Sequence, residues 1–191
     1  VLDHACQVGR APFKERPGDC YDTPPAAVHA LLKVERLPYL IWEPACGRGN
    51  IVEVLRAAGH EVVATDLTYR GCPDSLDRID FLLPTKFNCE AIVTNPPFSL
   101  ADRFVLTALE RAPLVIMLLR LAFLEGGRRS RILDTGKLAR VHVFTNRLPM
   151  MHREGWDGPK ATSAIPFAWF VFHSFHKGPA TIDRIRWEAA E

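Results

Sequence analysis

An apolar run at 91–94, Ala-Ile-Val-Thr, stops at Asn95-Pro96-Pro97-Phe98. Two successive prolines bring no backbone N–H, so a sheet ladder cannot continue past them. The first proline also drives Asn95 out of the helical region. The run is therefore predicted to be a buried strand that ends in a stiff turn, with a side-chain amide first and an aromatic ring last. In an open α/β sheet the carboxyl ends of the strands are where ligands bind. The turn offers two acceptors beside a flat ring, the Asn95 side-chain oxygen and a proline carbonyl. An exocyclic amino group on a planar base suits that pattern. Asn-Pro also opens ordinary turns, so the rest of the chain must decide.

The rest alternates. Pro24 and Pro25 open a helix through Ala26, Val28, Leu31 and Leu32, with Thr23 expected as its N-cap. Short apolar strands are predicted at 40–42, 61–65 and 114–119, with a weak one at 79–82. Helical spacing appears at 51–55 and 100–111, and a short helix at 128–133. Strands at 140–144 and 167–172 have no helix pattern between them and are expected to pair as an antiparallel hairpin at one edge. In the second of these, Phe170 and Phe172 face one way and Trp169 and Val171 the other. The tail, with Ile182, Ile185 and Trp187, is expected to be a further edge strand or an arm over the sheet. Strands alternating with helices predict a mostly parallel sheet covered on both faces.

Glu43-Pro44-Ala45-Cys46-Gly47-Arg48-Gly49-Asn50 joins the first strand to its helix. Small residues and glycines let backbone approach a ligand, and a helix start offers unpaired N–H groups. Asp66 stands at the tip of the next strand, where a carboxylate suits a ribose diol. The full dinucleotide fingerprint G-x-G-x-x-G is missing, because Val52 stands three places after Gly49. That argues against a nicotinamide enzyme.

These segments together resemble the S-adenosylmethionine-dependent amino-methyltransferases, above all the adenine-N6 enzymes with an Asn-Pro-Pro-Phe motif, including small phage and prophage DNA methyltransferases. The resemblance runs in motifs from Tyr21 to Phe98 and more loosely to Phe172. It implies a Rossmann-like seven-stranded sheet, mostly parallel with an antiparallel C-terminal hairpin. It implies that S-adenosylmethionine is held by Tyr21 and Thr23 of the lead-in turn and by Glu43, Pro44, Ala45, Cys46, Gly47, Gly49 and Asn50. Asp66 would take the ribose, and Asp80 and Phe81 the adenine of the cofactor. Asn95, Pro96, Pro97 and Phe98 would be catalytic.

The 191 residues divide in this reading into an N-terminal arm, 1–20, and a single methyltransferase domain, 21–191. A segment at 146–166 is a candidate substrate loop, in which Arg147, Arg153 and Lys160 can meet phosphates and Trp156 can stack on a base. Arg120 to Glu125, after the fifth strand, lie at the same carboxyl edge, without an assigned role. The net charge of +2 is compatible with nucleic acid without demanding it. Five scattered cysteines without a C-x-x-C give no disulfide framework and no metal module, which points to a reducing cytoplasm. No apolar run nears the roughly 18 residues of a membrane span. Oligomeric state leaves no mark on the sequence.

The expected activity is therefore methylation of adenine N6 in DNA. RNA adenine and protein glutamine are rival substrates, the glutamine enzymes typically ending the motif in Tyr rather than Phe. A cofactor-binding subunit that needs a partner is the non-enzymatic alternative. No segment is large enough for a separate target-recognition domain, so specificity is expected to be short, relaxed or supplied by another protein.

Overall fold

The computed structural model describes residues 21–150 and 165–188. Its centre is a seven-stranded sheet of order β2-β1-β3-β4-β6-β5-β7. The strands are β1 (Leu40–Glu43), β2 (Glu61–Ala64), β3 (Ala91–Thr94), β4 (Leu114–Arg120), β5 (Leu138–Phe144), β6 (Phe167–His173) and β7 (Thr181–Ile185). All neighbours pair in parallel except β6, which runs antiparallel to both β4 and β5. The helices are α1 (Pro25–Leu32), α2 (Asn50–Ala57), α3 (Ala101–Leu109) and the short α4 (Ser130–Leu133).

The apolar pattern explains the layers. Val115 through Leu119 of β4 are fully buried, because both faces of this central strand are covered. Ala27, Val28 and Leu31 of α1 and Ile51, Val52 and Leu55 of α2 pack on one face with Trp169 and Val171. Phe104, Val105 and Ala108 of α3 pack on the other with Phe170 and Phe172. The expected alternation along β6 is thus the division between the two cores. Trp169 also donates from Nε1 to the Ala27 carbonyl at 2.9 Å, which fixes α1 against the sheet. A buried ionic cluster ties the exit of α1 to β5, where Glu35 accepts from Arg140 and, at 2.7 Å, pairs with His142 Nε2. Burial would raise the Glu35 carboxyl, but the bonds to His142 and Arg140 outweigh it and hold it below the usual carboxylate range.

Three expectations are corrected. No strand forms at 79–82. There Asp80 folds back, its Oδ1 accepting from the Leu82 N–H at 2.8 Å, and a single bridge between Thr65 and Leu76 is all that pairs beyond β2. Thr23 does not cap α1. The N-cap is Pro24, whose carbonyl accepts from the Ala27 N–H, and Pro25 opens the first turn. The β5–β6 pair is antiparallel as expected, but it is not the edge. The tail strand β7 adds outside it, parallel to β5, so the seventh strand comes from 181–185.

Trp169→Phe keeps the ring but removes the donor to Ala27. Urea denaturation is expected to show a loss of about 1–3 kcal/mol with an unchanged slope.

Candidate functional site

The strand order reverses between β1 and β3: from β1 the chain proceeds outward to β2, and from β3 the other way to β4. That is a topological switch point, where the loops diverge and leave a crevice. Glu43 ends β1 and Thr94 ends β3. Beneath the crevice the Thr94 hydroxyl donates to Glu43 Oε1 at 2.6 Å, and the same oxygen accepts from the Ala45 N–H at 3.2 Å. Glu43 is wholly buried, and its Oε2 has no partner among the described residues. Burial pushes its carboxyl up to about 8, the bonds from Thr94 and Ala45 oppose this in part, and the Asp66 charge adds to the rise. Burial thus favours the uncharged acid.

The chain leaves β1 through two left-handed glycines, Gly47 (φ 55°) and Gly49 (φ 93°). Gly49 closes the turn by donating to the Cys46 carbonyl at 2.8 Å and serves as N-cap of α2. A Cβ on Gly49 would stand 2.8 Å from Cys72 Sγ, so this position excludes a side chain by space as well as by conformation. Gly47 donates its N–H to Asp66 Oδ2 at 2.9 Å, and Thr68 donates to Asp66 Oδ1 at 3.0 Å. Asp66 is thereby aimed by one backbone N–H on each oxygen.

Two asparagines hold the lead-in turn across the crevice. Asn50 Nδ2 donates to the Thr23 carbonyl at 2.9 Å, and Asn95 Nδ2 donates to the Tyr21 carbonyl at 3.0 Å. The second bond fixes the Asn95 amide and leaves its Oδ1 buried without a donor among the described residues. The enclosed cavity has a volume of about 330 Å³, within the range of small-molecule sites. Of the residues expected to bind cofactor, Tyr21, Thr23, Ala45, Cys46, Gly47, Asn50 and Asp66 line it, together with Asn95 and Pro97 of the proline turn.

The remaining residues lie elsewhere. Glu43 and Pro44 are buried in the floor, and Gly49 and Pro96 are buried behind the lining. Phe81 is 2% exposed in the core, edge-on to Trp42 at 5.1 Å and 4.9 Å from Phe104, and Asp80 closes its own turn. Neither reaches the cavity. Phe98 stands beside it, stacked on Tyr21 at 5.4 Å and 5.3 Å from Phe167, with the Arg120 guanidinium 4.6 Å from its ring centre. Arg147 is exposed past the end of β5, away from the cavity. Residues 1–20, Arg153, Trp156 and Lys160 lie outside the described residues. The cavity also recruits Arg48, Leu67, Thr68, Arg70, Ser99 and Leu100. The sequence reading passed over them, although each directly follows or interrupts a motif at the same end of the sheet.

No protein-family model matches this sequence, and no curated protein does. Solved structures do match. A provisionally named RNA methyltransferase from Pyrococcus horikoshii superposes with a TM-score of 0.58 at 14% identity, covering 80% of this chain and 85% of that one. The 23S rRNA methyltransferase ErmE gives 0.53 at 17% identity, covering 82% and 70%. The fold is the Rossmann-like methyltransferase fold. The M protein of the type I restriction enzyme EcoKI gives 0.59 at 13% identity, covering 89% of this chain and 49% of that much longer one. Among the described residues of this methyltransferase fold, no helix is long and apolar enough to cross a membrane.

Two outcomes follow from the floor and the turn. The Glu43 carboxyl is raised on folding, so between about pH 5 and 8 the folded state holds a proton that the unfolded state has lost. Stability therefore falls as pH rises through that window. Urea denaturation across it is expected to show this slope in the wild type and a difference from Glu43→Gln that grows with pH; a flat difference would mean a charged Glu43. Gly49→Ala is expected to cost about 1–3 kcal/mol in the same assay, from the positive φ alone, with further loss from Cys72.

Proposed function

We propose that the chain is an S-adenosylmethionine-dependent methyltransferase that methylates the N6 amino group of adenine in DNA. The observation that carries this reading is Asn95: its amide is fixed from one side by Tyr21, and a buried acceptor oxygen is left free at the end of β3. The methyltransferase fold and its nucleic-acid-modifying neighbours support it.

The residues fit the cofactor on observations of this structure. The 330 Å³ cavity lies at the switch point. Each Asp66 oxygen engages a single backbone N–H, so lone pairs remain for a ribose diol. Gly47 lines the site with no side chain to fill it. Tyr21, Thr23, Ala45, Cys46 and Asn50 would enclose the amino-acid end. When bound, the cofactor supplies a methyl group activated on a sulfonium.

The chain's part is positioning. Adenine's amino lone pair is delocalised into the ring and is a poor nucleophile. Asn95 Oδ1 and the Pro96 carbonyl would accept the two amino hydrogens, which favours a pyramidal nitrogen and offsets the positive charge that develops on it. Phe98 would fix the plane of the ring. An amide does not titrate in a useful range, so Asn95 orients and stabilises without taking the proton. In a duplex the target must first leave the stack, which costs a few kcal/mol.

RNA adenine is the second reading, favoured by the likeness to an rRNA methyltransferase. Radiolabelled cofactor offered with duplex DNA, single-stranded DNA, RNA and total protein, followed by nucleoside analysis, separates the readings. N6-methyladenosine from RNA alone would select the second, label in protein alone would refute both, and no transfer at all would favour a subunit that needs a partner. Asn95→Ala is expected to lose at least about 100-fold in methyl transfer, with a much smaller loss of cofactor affinity in calorimetry from the missing bond to Tyr21. Asp66→Ala is expected to weaken cofactor binding by at least about tenfold.

A further inference from the structure

Beside the main cavity, and separated from it by Phe98, is a smaller pocket of about 180 Å³ at the end of β4. Phe98, Leu119, Ala122 and Phe123 give it an apolar base, and two arginines complete it. Their situations differ. Arg129 has its charge matched and three of its five N–H donors engaged: its Nε donates to Asp102 at 2.9 Å, and its Nη1 donates to the carbonyls of Ala122 at 3.0 Å and Glu125 at 2.8 Å. The Arg129 guanidinium also lies 4.7 Å from the Phe123 ring centre. Arg120 has no carboxylate partner among the described residues, and its Nε is buried without an acceptor. Only the Phe98 ring supports it, at 4.6 Å. With Asp102 matched by Arg129, the pocket keeps one positive charge with no carboxylate beside it among the described residues. A buried, unsatisfied charged donor is costly unless a ligand completes it.

We propose that Arg120 binds a backbone phosphate of the DNA strand that carries the target adenine. A compact anion matches the pocket's size and its single excess charge, and the guanidinium fork matches phosphate oxygens. The ring that carries Arg120 is the ring that would hold the target base, so the contact would set the register of the nucleotide against Asn95. This inference rests on the nucleic-acid reading above.

The test is fluorescence anisotropy of a fluorescein-labelled DNA duplex titrated with the full chain at several salt concentrations. Arg120→Gln is expected to weaken binding and to make the slope of log affinity against log salt shallower by about one. Arg120→Lys is expected to keep the wild-type slope. Calorimetric affinity for S-adenosylmethionine is expected to stay unchanged in both, because Arg120 does not line the main cavity. A full wild-type slope in Arg120→Gln, in a protein whose wild type methylates duplex adenine, overturns this inference and leaves the activity standing. A wild type with no affinity for the duplex overturns it together with the DNA reading. Should Arg120→Gln fail to fold, the Arg120 Nε–H resonance of the wild type, assigned with Arg120→Lys, is expected to shift on adding the duplex, and an unmoved resonance is equally fatal.

Discussion

A single short hydrogen bond, from the Thr94 hydroxyl to the Glu43 carboxyl, joins the ends of β1 and β3 at the point where the sheet reverses its order. Both motifs hang from it. Ala45, which begins the glycine turn, donates to the same carboxyl oxygen. Asn95, which begins the proline turn, is the next residue after Thr94. The two turns are thus set against each other by one buried acid. That acid sits in an apolar floor where burial disfavours its charge, while the bonds from Thr94 and Ala45 pull the other way.

Much of this was legible in the sequence because local chemistry decides it. Two prolines after an apolar run can only end a strand, and a pair of glycines between a strand and an amphipathic helix can only be a tight turn. Strand alternation placed Trp169 and Phe170 on opposite faces, as found. The readings that failed are those where tertiary context outweighs local pattern. Phe81 follows an acid in a short apolar stretch, which looks like a ligand-facing strand end. The Trp42 and Phe104 rings instead draw it inward, and Asp80 closes its own turn with one carboxylate oxygen. The lost strand at 79–82 and the gained strand β7 keep the count at seven while moving the sheet toward the tail. The tail pattern around Ile182 and Ile185 left an edge strand and an arm as alternatives, and the pairing with β5 is what decides for the strand.

Arg120 illustrates a different limit. In the sequence it interrupts an apolar run and reads as the end of a strand. Only the fold shows that it lies against Phe98 and that the neighbouring Arg129 has claimed the nearby carboxylate and two carbonyls. The distinction between a spent arginine and an available one is a matter of partners, and partners separated by tens of residues leave no trace in spacing.

Tyr21 occupies three relationships at once. Its carbonyl holds the Asn95 amide, its ring lies on Phe98, and it lines the main cavity. A residue shared in this way cannot shift at one of these places without being felt at the others. Under the proposed reading, donor and target would then not load independently: each would change the affinity for the other through this one residue.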